Sequence, residues 1–276
     1  MNFSQYMILT DLDGTFLHHG TPVPRNIEAV RRFCEGGGLF SIATGRTHYT
    51  VRTPLPDIEA LINLPAVVCN GAYLYDYKTG TVLDECFISA SLCDELVAFI
   101  EQHAASVPCR LSVPGGIRTP ALIGGVASDV AVNKFGKVTV LPLAEWQRDD
   151  WYRLVFHAER EKLAELRPKL EACFAGRLEL MYSENRYLEV QSAHAHKGAA
   201  AKRLHTHYGA GRTLITCGDF ENDISMLRAA DISVCPASAD EAVRQVADYT
   251  LCSCEEGLLA DVIERLELGL LPQKGE

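Results

Sequence analysis

Tyr6-Met-Ile-Leu-Thr10 runs straight into Asp11-Leu-Asp13-Gly-Thr15, and the fold class follows from reading the two pieces together. The first is a short apolar run of the length of a buried strand. The second sets two carboxylates on that strand's end, and strand alternation points Asp11 and Asp13 the same way with Leu12 opposite. Gly14 permits the tight backbone path that leaves the strand. An Asp-x-Asp-Gly run also opens calcium loops, but here neither residue 15 nor a downstream Glu continues that pattern.

Working outward, the same strand-then-polar arrangement recurs. A helix is expected from Asn26 to Glu35, with Ile27, Val30 and Cys34 on one face, ended by Gly36-Gly-Gly38. Leu39 to Ala43 reads as a strand ending at Thr44, and Ala66 to Cys69 as another ending at Asn70-Gly71. Near the C-terminus, Lys197 to Tyr208 reads as a helix and Thr213 to Cys217 as a strand ending at Gly218-Asp219. A helix over Asp223 to Ala230, a strand over Ile232 to Cys235 and helices over Ala239 to Ala247 and Leu258 to Leu268 follow. Such alternation implies βαβ units and a doubly wound, Rossmann-like parallel α/β sheet.

The middle reads differently. Tyr73 to Tyr77 and Thr81 to Phe87 flank Lys78-Thr-Gly80, a hairpin signal. Helices are expected over Leu92 to His103 and Glu159 to Phe174. Strands are expected over Arg153 to His157, Leu178 to Met181 and Tyr187 to Gln191, the last two paired. Residues 108–150 carry weak periodicity and many Pro and Gly. Gly115-Gly116 and Gly124-Gly125 lack a strand–turn–helix context and read as turns, not nucleotide cradles. The chain thus divides into a core of residues 1–82 and 190–276 and an inserted α/β cap of residues 83–189.

Totals exclude several classes. The 276 residues carry 26 Lys and Arg against 36 Asp and Glu, a formal charge of −10, so no chain-wide nucleic-acid footprint is expected. The ten cysteines show no C-x-x-C spacing and most lie in apolar runs, which reads as reduced core thiols in a cytoplasmic protein. The apolar run at the N-terminus is too short for a signal peptide or a membrane span. A monomer or small homo-oligomer is expected.

The chemistry gathers at the strand ends. In an open parallel sheet, ligands bind outside the carboxyl ends of the strands. Asp11, Asp13, Thr44, Asp219 and Asp223 would therefore converge on one edge. Clustered carboxylates are costly unless a cation holds them, and hard oxygen donors suit Mg²⁺ together with a substrate phosphate. One carboxylate can attack phosphorus while the other protonates the leaving oxygen and then activates water.

At these residues the chain resembles the haloacid-dehalogenase-like superfamily. Asp11-Leu-Asp-Gly-Thr15 resembles its first motif, and Ala43-Thr-Gly-Arg46 the second as found in Cof-type phosphatases. Lys197-Gly198 resembles the third, and Gly218-Asp-Phe-Glu-Asn-Asp223 with Ser225-Met-Leu227 the fourth. The four stand in order over essentially the whole chain, and the large insertion resembles a class IIB cap. Val234-Cys-Pro-Ala-Ser-Ala239 departs from the Gly-Asn-Ala run of many relatives.

The resemblance implies a magnesium-dependent phosphatase of a small phosphorylated metabolite, a sugar phosphate or a phosphorylated cofactor, working through an aspartyl-phosphate. Asp11 would be nucleophile and metal ligand. Asp13 would be general acid/base and bind metal through its backbone carbonyl, and Asp219 would be the second side-chain ligand. Thr44 would hold phosphoryl oxygens and Lys197 would neutralise charge. Arg46, Asn70 and Asn222 would touch phosphate or substrate, and Asp223 would orient the metal's surroundings. The same residues would serve a phosphotransferase or mutase. A phospho-receiver domain fits less well, since it would be about half this length and use an Asp on a later strand. His194-x-His196 could form a metal pair, whereas His18-His19 and His205-x-His207 read as surface residues.

Overall fold

The computed structural model describes residues 1–271. The first third contains β1 (Tyr6–Thr10), the two-residue pair β2 (Leu17–His18) and β3 (Thr21–Pro22), α1 (Pro24–Glu35), β4 (Leu39–Ile42), α2 (His48–Val51), β5 (Ala66–Val68), β6 (Tyr73–Asp76) and β7 (Thr81–Glu85). The middle contains α3 (Ala90–His103), β8 (Cys109–Val113), β9 (Gly116–Thr119), α4 (Gly124–Val132), β10 (Lys137–Val140), β11 (Arg153–His157), α5 (Arg160–Phe174), β12 (Leu178–Glu184) and β13 (Tyr187–Ser192). The last third contains α6 (Lys197–Tyr208), β14 (Thr213–Cys217), α7 (Ile224–Leu227), β15 (Ile232–Pro236), α8 (Glu241–Arg244), β16 (Tyr249–Leu251) and α9 (Leu258–Glu267).

The main sheet is parallel, in the order β16-β15-β14-β1-β4, and a bridge from Ala43 to Val67 attaches the antiparallel β5-β6-β7 meander beyond β4. Strands β1, β4, β14 and β15 are buried on both faces because helices cover both. Ile8 of β1 packs into the core under α1 and α9, whereas Met7 and Leu9 pack under α6 with Ala200, Ala201 and Leu204. This doubly wound α/β arrangement puts the first and last thirds of the chain side by side, with β1 against β14 over five register pairs.

Helix α1 begins two residues earlier than expected, at Pro24, and buries a rotated face. Asn26, Ala29, Val30 and Phe33 are its buried residues, and Ile27 and Cys34 sit half-buried at the flanks. Phe33 decides the rotation: its ring packs 5.0 Å from that of Phe3 and offers more apolar area than Ile27 or Cys34. Asn26 fits that face because its amide donates to the Phe16 carbonyl and accepts from Ala260 N at the start of α9. The expected helices over 223–230 and 239–247 shrink to α7 and α8, since a 3-10 turn over Glu221–Asp223 precedes the first. Strand β16 carries too short an apolar run to be read from sequence.

The middle builds a second sheet, β10-β9-β8-β11-β13-β12, with a hydrophobic core of its own that includes Phe99, Trp151, Phe156 and Leu163. The expected limits at 82/83 and 189/190 fall inside β7 and β13, and the second core spans Ile88 to Val190. Gly115 makes the β8–β9 turn at φ +81°, while Gly124-Gly125 opens α4 instead of forming a turn. All ten cysteines are free; six are buried, and Cys173 is exposed on α5. Among the described residues no helix is long and apolar enough to cross a membrane.

Truncating the residue that sets the α1 face gives a test of this packing. Phe33→Ala should lower unfolding free energy by about 3–5 kcal/mol, read from urea denaturation. A loss below ~1 kcal/mol would mean that another contact fixes α1.

Candidate active site

Because β1, β4 and β14 run parallel, their carboxyl ends share one edge. Asp11 follows β1, Thr44 follows β4, and Asp219 follows β14. Backbone bonds lock the three ends together: Asp11 N donates to the Cys217 carbonyl, Ala43 N to that of Thr10 and Asn70 N to that of Thr44. Beyond Asp11 the chain turns at once, with the Leu12 carbonyl accepting from Phe16 N and Leu17 N. Gly14 sits there at φ +87°, and a Cβ on it would fall 2.3 Å from Asp219 Oδ2. Glycine is therefore required twice at this position, for the backbone and for the approach of a carboxylate.

Lys197, the first residue of α6, is fully buried, so it is not a solvated lysine at a helix start. Its ammonium donates to Asp11 Oδ1 and Asp223 Oδ1, each at 2.6 Å. Burial opposes the charge on Lys197, but the two carboxylates outweigh it and raise its pKa above the ordinary value. Asp223 Oδ2 accepts from Asp219 N and Phe220 N. Both Asp223 oxygens are thus engaged in shaping the loop that presents Asp219.

Burial pushes the Asp11 carboxyl well above its usual range against the pull of Lys197, and Asp223, Asp219 and Asp13 add to the rise. Burial likewise pushes Asp219 up to about 7, with Asp223 adding to it, although Thr15 donates to Asp219 Oδ1 at 2.6 Å. Asp11, Asp219 and Asp223 each offer an oxygen, all within 4.8 Å of one another. An all-oxygen, net-negative donor set whose protons are held too tightly fits a small hard cation, which would relieve the repulsion. The Asp13 side chain lies outside this group.

The Asp13 carboxylate instead meets Arg46 in a two-pronged contact, Nε to Oδ2 at 2.7 Å and Nη2 to Oδ1 at 2.8 Å. Thr44 is buried, and its hydroxyl oxygen accepts from Arg46 N. Asn222 lines the cavity and donates to Asn70 Oδ1 at 3.0 Å. Asn70 is wholly buried in a left-handed conformation, and its amide nitrogen donates to Glu189 of the second sheet at 2.5 Å. The side chain expected to meet substrate is here spent on linking the two sheets. His196 is not part of a metal pair: its Nδ1 accepts from Ala199 N and caps α6. His205 bonds the Arg212 carbonyl.

A cavity of about 520 Å³ opens over this edge and is closed on its far side by the second sheet. Arg110, Asp129, Phe135, Arg153, Tyr187 and Glu189 line that far side. None of them was picked out from the sequence, and neither was Thr15. The signal was present as period-two polarity, as in Arg110-Leu-Ser112 and Glu189-Val-Gln191 within otherwise apolar strands.

A sequence profile described as haloacid dehalogenase-like hydrolase matches residues 8–263, and the chain belongs to that family. It is 27% identical over 256 residues to the pyridoxal phosphate phosphatase YbhA of Escherichia coli K12, covering 89% of this chain and 92% of that one. It is 23% identical to the Bacillus subtilis 5-amino-6-(5-phospho-D-ribitylamino)uracil phosphatase YwtE, covering 95% and 98%. In fold it is similar to SMU.1108c of Streptococcus mutans (TM-score 0.81, 24% identity, 95% and 98% covered). It is also similar to the subclass IIB sugar phosphatase BT4131 (TM-score 0.81, 22% identity, 96% and 100% covered).

Two outcomes follow from this geometry. Gly14→Ala should leave a folded protein with Asp219 displaced and activity down at least ~100-fold, since a misplacement near 1 Å costs that much; near-normal turnover would show that the loop can yield. Asp219 rises from 3.8 in an ordinary setting to about 7 on folding. Its charge therefore destabilises the metal-free fold increasingly from about pH 4 to above pH 7. In chelator, Asp219→Asn should melt higher than the parent at pH 8, with the gap closing toward pH 5, and Mg²⁺ should raise the melting temperature of the parent only. Equal melting at pH 8 would contradict the burial of a charged Asp219.

Proposed function

We propose that this hydrolase is a Mg²⁺-dependent phosphatase of small phosphomonoesters. The observation that carries the reading is the buried Lys197 ammonium, which fixes Asp11 Oδ1 and leaves the other Asp11 oxygen beside the cavity. That free oxygen attacks phosphorus as the ester P–O bond breaks, giving an aspartyl-phosphate on Asp11. Phosphoryl transfer needs positioning and charge neutralisation more than covalent help. Lys197 supplies part of the neutralisation, and Thr44 and Asn222 are placed for the phosphoryl oxygens. Asp11, Asp219 and the Asp13 backbone carbonyl would hold Mg²⁺, which when bound offsets the charge of carboxylate and phosphate.

Asp13 gives its proton to the leaving oxygen and takes one back from the water that opens the intermediate. Its present contact with Arg46 occupies both carboxylate oxygens, so Asp13 turns away from the guanidinium to act. In this reading residues 83–189 serve as a cap that excludes water over the edge. A sugar phosphate or a phosphorylated cofactor fits the cavity volume, and a pyridoxal phosphate phosphatase among the relatives supports the second class.

Phosphate release from sugar phosphates, nucleotides and phosphorylated cofactors tests the proposal. Release should need Mg²⁺ and fall at least ~10³-fold in Asp11→Asn. An active Asp11→Asn enzyme would take the nucleophile's role from Asp11. Substrate loss without matching phosphate would indicate transfer to another acceptor.

A further inference from the structure

In the second sheet the polar and apolar residues separate by face. Register pairs place Arg110, Val155 and Glu189 in one row and Ser112, Arg153 and Gln191 in the next row on the same face. The alternate rows, Leu111 with Leu154 and Val190 and Cys109 with Phe156 and Leu188, pack into the second hydrophobic core. The polar face is nonetheless buried, and Arg110, Arg153 and Glu189 from it line the cavity above Asp11.

The two guanidinium groups differ. Arg153 Nη1 is paired with Glu189 at 2.6 Å, with 3% of each side chain exposed, while its Nε is buried with no partner among the described residues. Arg110, with 8% of its side chain exposed, donates through Nε to Asp129 Oδ2 at 3.1 Å, while the Tyr187 hydroxyl donates to Asp129 Oδ1. Its guanidinium carbon lies 4.9 Å from the Phe135 ring centre and 5.8 Å from that of Tyr187. Its Nη1 is buried and has no hydrogen-bond partner among the described residues. Guanidinium nitrogens can only donate, and a buried donor left unmet is costly, so the group is built for an acceptor that arrives.

The charge balance restricts what arrives. Asp129 already balances Arg110 and Glu189 balances Arg153, while Arg186 at the rim is exposed and paired with Glu159 at 2.6 Å. Among the described residues no surplus cation remains at this end of the cavity for a second phosphate. We propose that Arg110, which lines the cavity, is a specificity-determining residue whose guanidinium donates to an oxygen of the leaving group. The substrate is then a single-phosphate ester of a net-uncharged leaving group bearing hydroxyl or carbonyl oxygens. This rests on the phosphatase reading of Asp11.

The test compares the parent with Arg110→Met and with Arg110→Met/Asp129→Asn, the double change leaving no unpaired buried charge. The probes are fructose 6-phosphate, pyridoxal 5′-phosphate, fructose 1,6-bisphosphate and phenyl phosphate, the last carrying no oxygen beyond its ester. For the better of the first two, kcat/KM relative to phenyl phosphate should fall ~10- to 100-fold in the double variant, the size of one hydrogen bond to a charged donor. The ratio is independent of the folded fraction, so an unchanged ratio overturns the proposal. A parent that prefers the bisphosphate to both monophosphates overturns the charge assignment. Calorimetric Kd values for the same monophosphate, with and without the Arg110 change in Asp11→Asn protein, separate the two readings. A weaker Kd on losing Arg110 supports the subsite even if no phosphate is released, and an equal Kd overturns it.

Discussion

A lysine ammonium with no solvent exposure, held between Asp11 and Asp223, is the contact on which the rest of the site depends. An unpaired buried charge is among the most costly features a fold can carry. Here each charge is bearable only because the others are present. Lys197 starts α6, Asp11 ends β1 and Asp223 closes the loop after β14. The ion triad can form only when both halves of the parallel sheet are docked, so assembly of the fold and assembly of the site are one event.

The same triad explains the division of labour among the carboxylates. Asp223 engages both of its oxygens, one with Lys197 and the other with two backbone amides. Asp11 gives one oxygen to Lys197. Asp219, braced by Thr15, and the other oxygen of Asp11 are the acceptors left outside the Lys197 contact. The raised pKa values of Asp11 and Asp219 reflect the burial of these carboxyls beside one another.

The second sheet solves a different problem. One face must bury apolar side chains against α3 and α5, while the other must roof a cavity that takes a polar ligand. Strand alternation gives each strand both faces at once. The roof is tied to the floor through Asn70, whose side chain links Asn222 of the loop after β14 to Glu189 of the roof. The left-handed backbone at Cys69, Asn70 and Gly71 aims that side chain, and Asn is among the few residue types that enter this region at modest cost.

The sequence by itself determined the strands that end at Asp11, Thr44 and Asp219, the helix that begins at Lys197, and the doubly wound class. These are local signals: apolar runs of strand length, each followed at once by a polar or glycine residue. The tertiary structure alone decided which face of α1 is buried, that Arg46 grips Asp13, that Asn70 turns to the roof, and that Arg110 stands over the cavity. Arg46 and Asp13 lie 33 residues apart, and Asn70 and Glu189 lie 119 apart. Nothing in a strand's own alternation says which of its faces will meet the catalytic edge; that is fixed only when the two sheets pack.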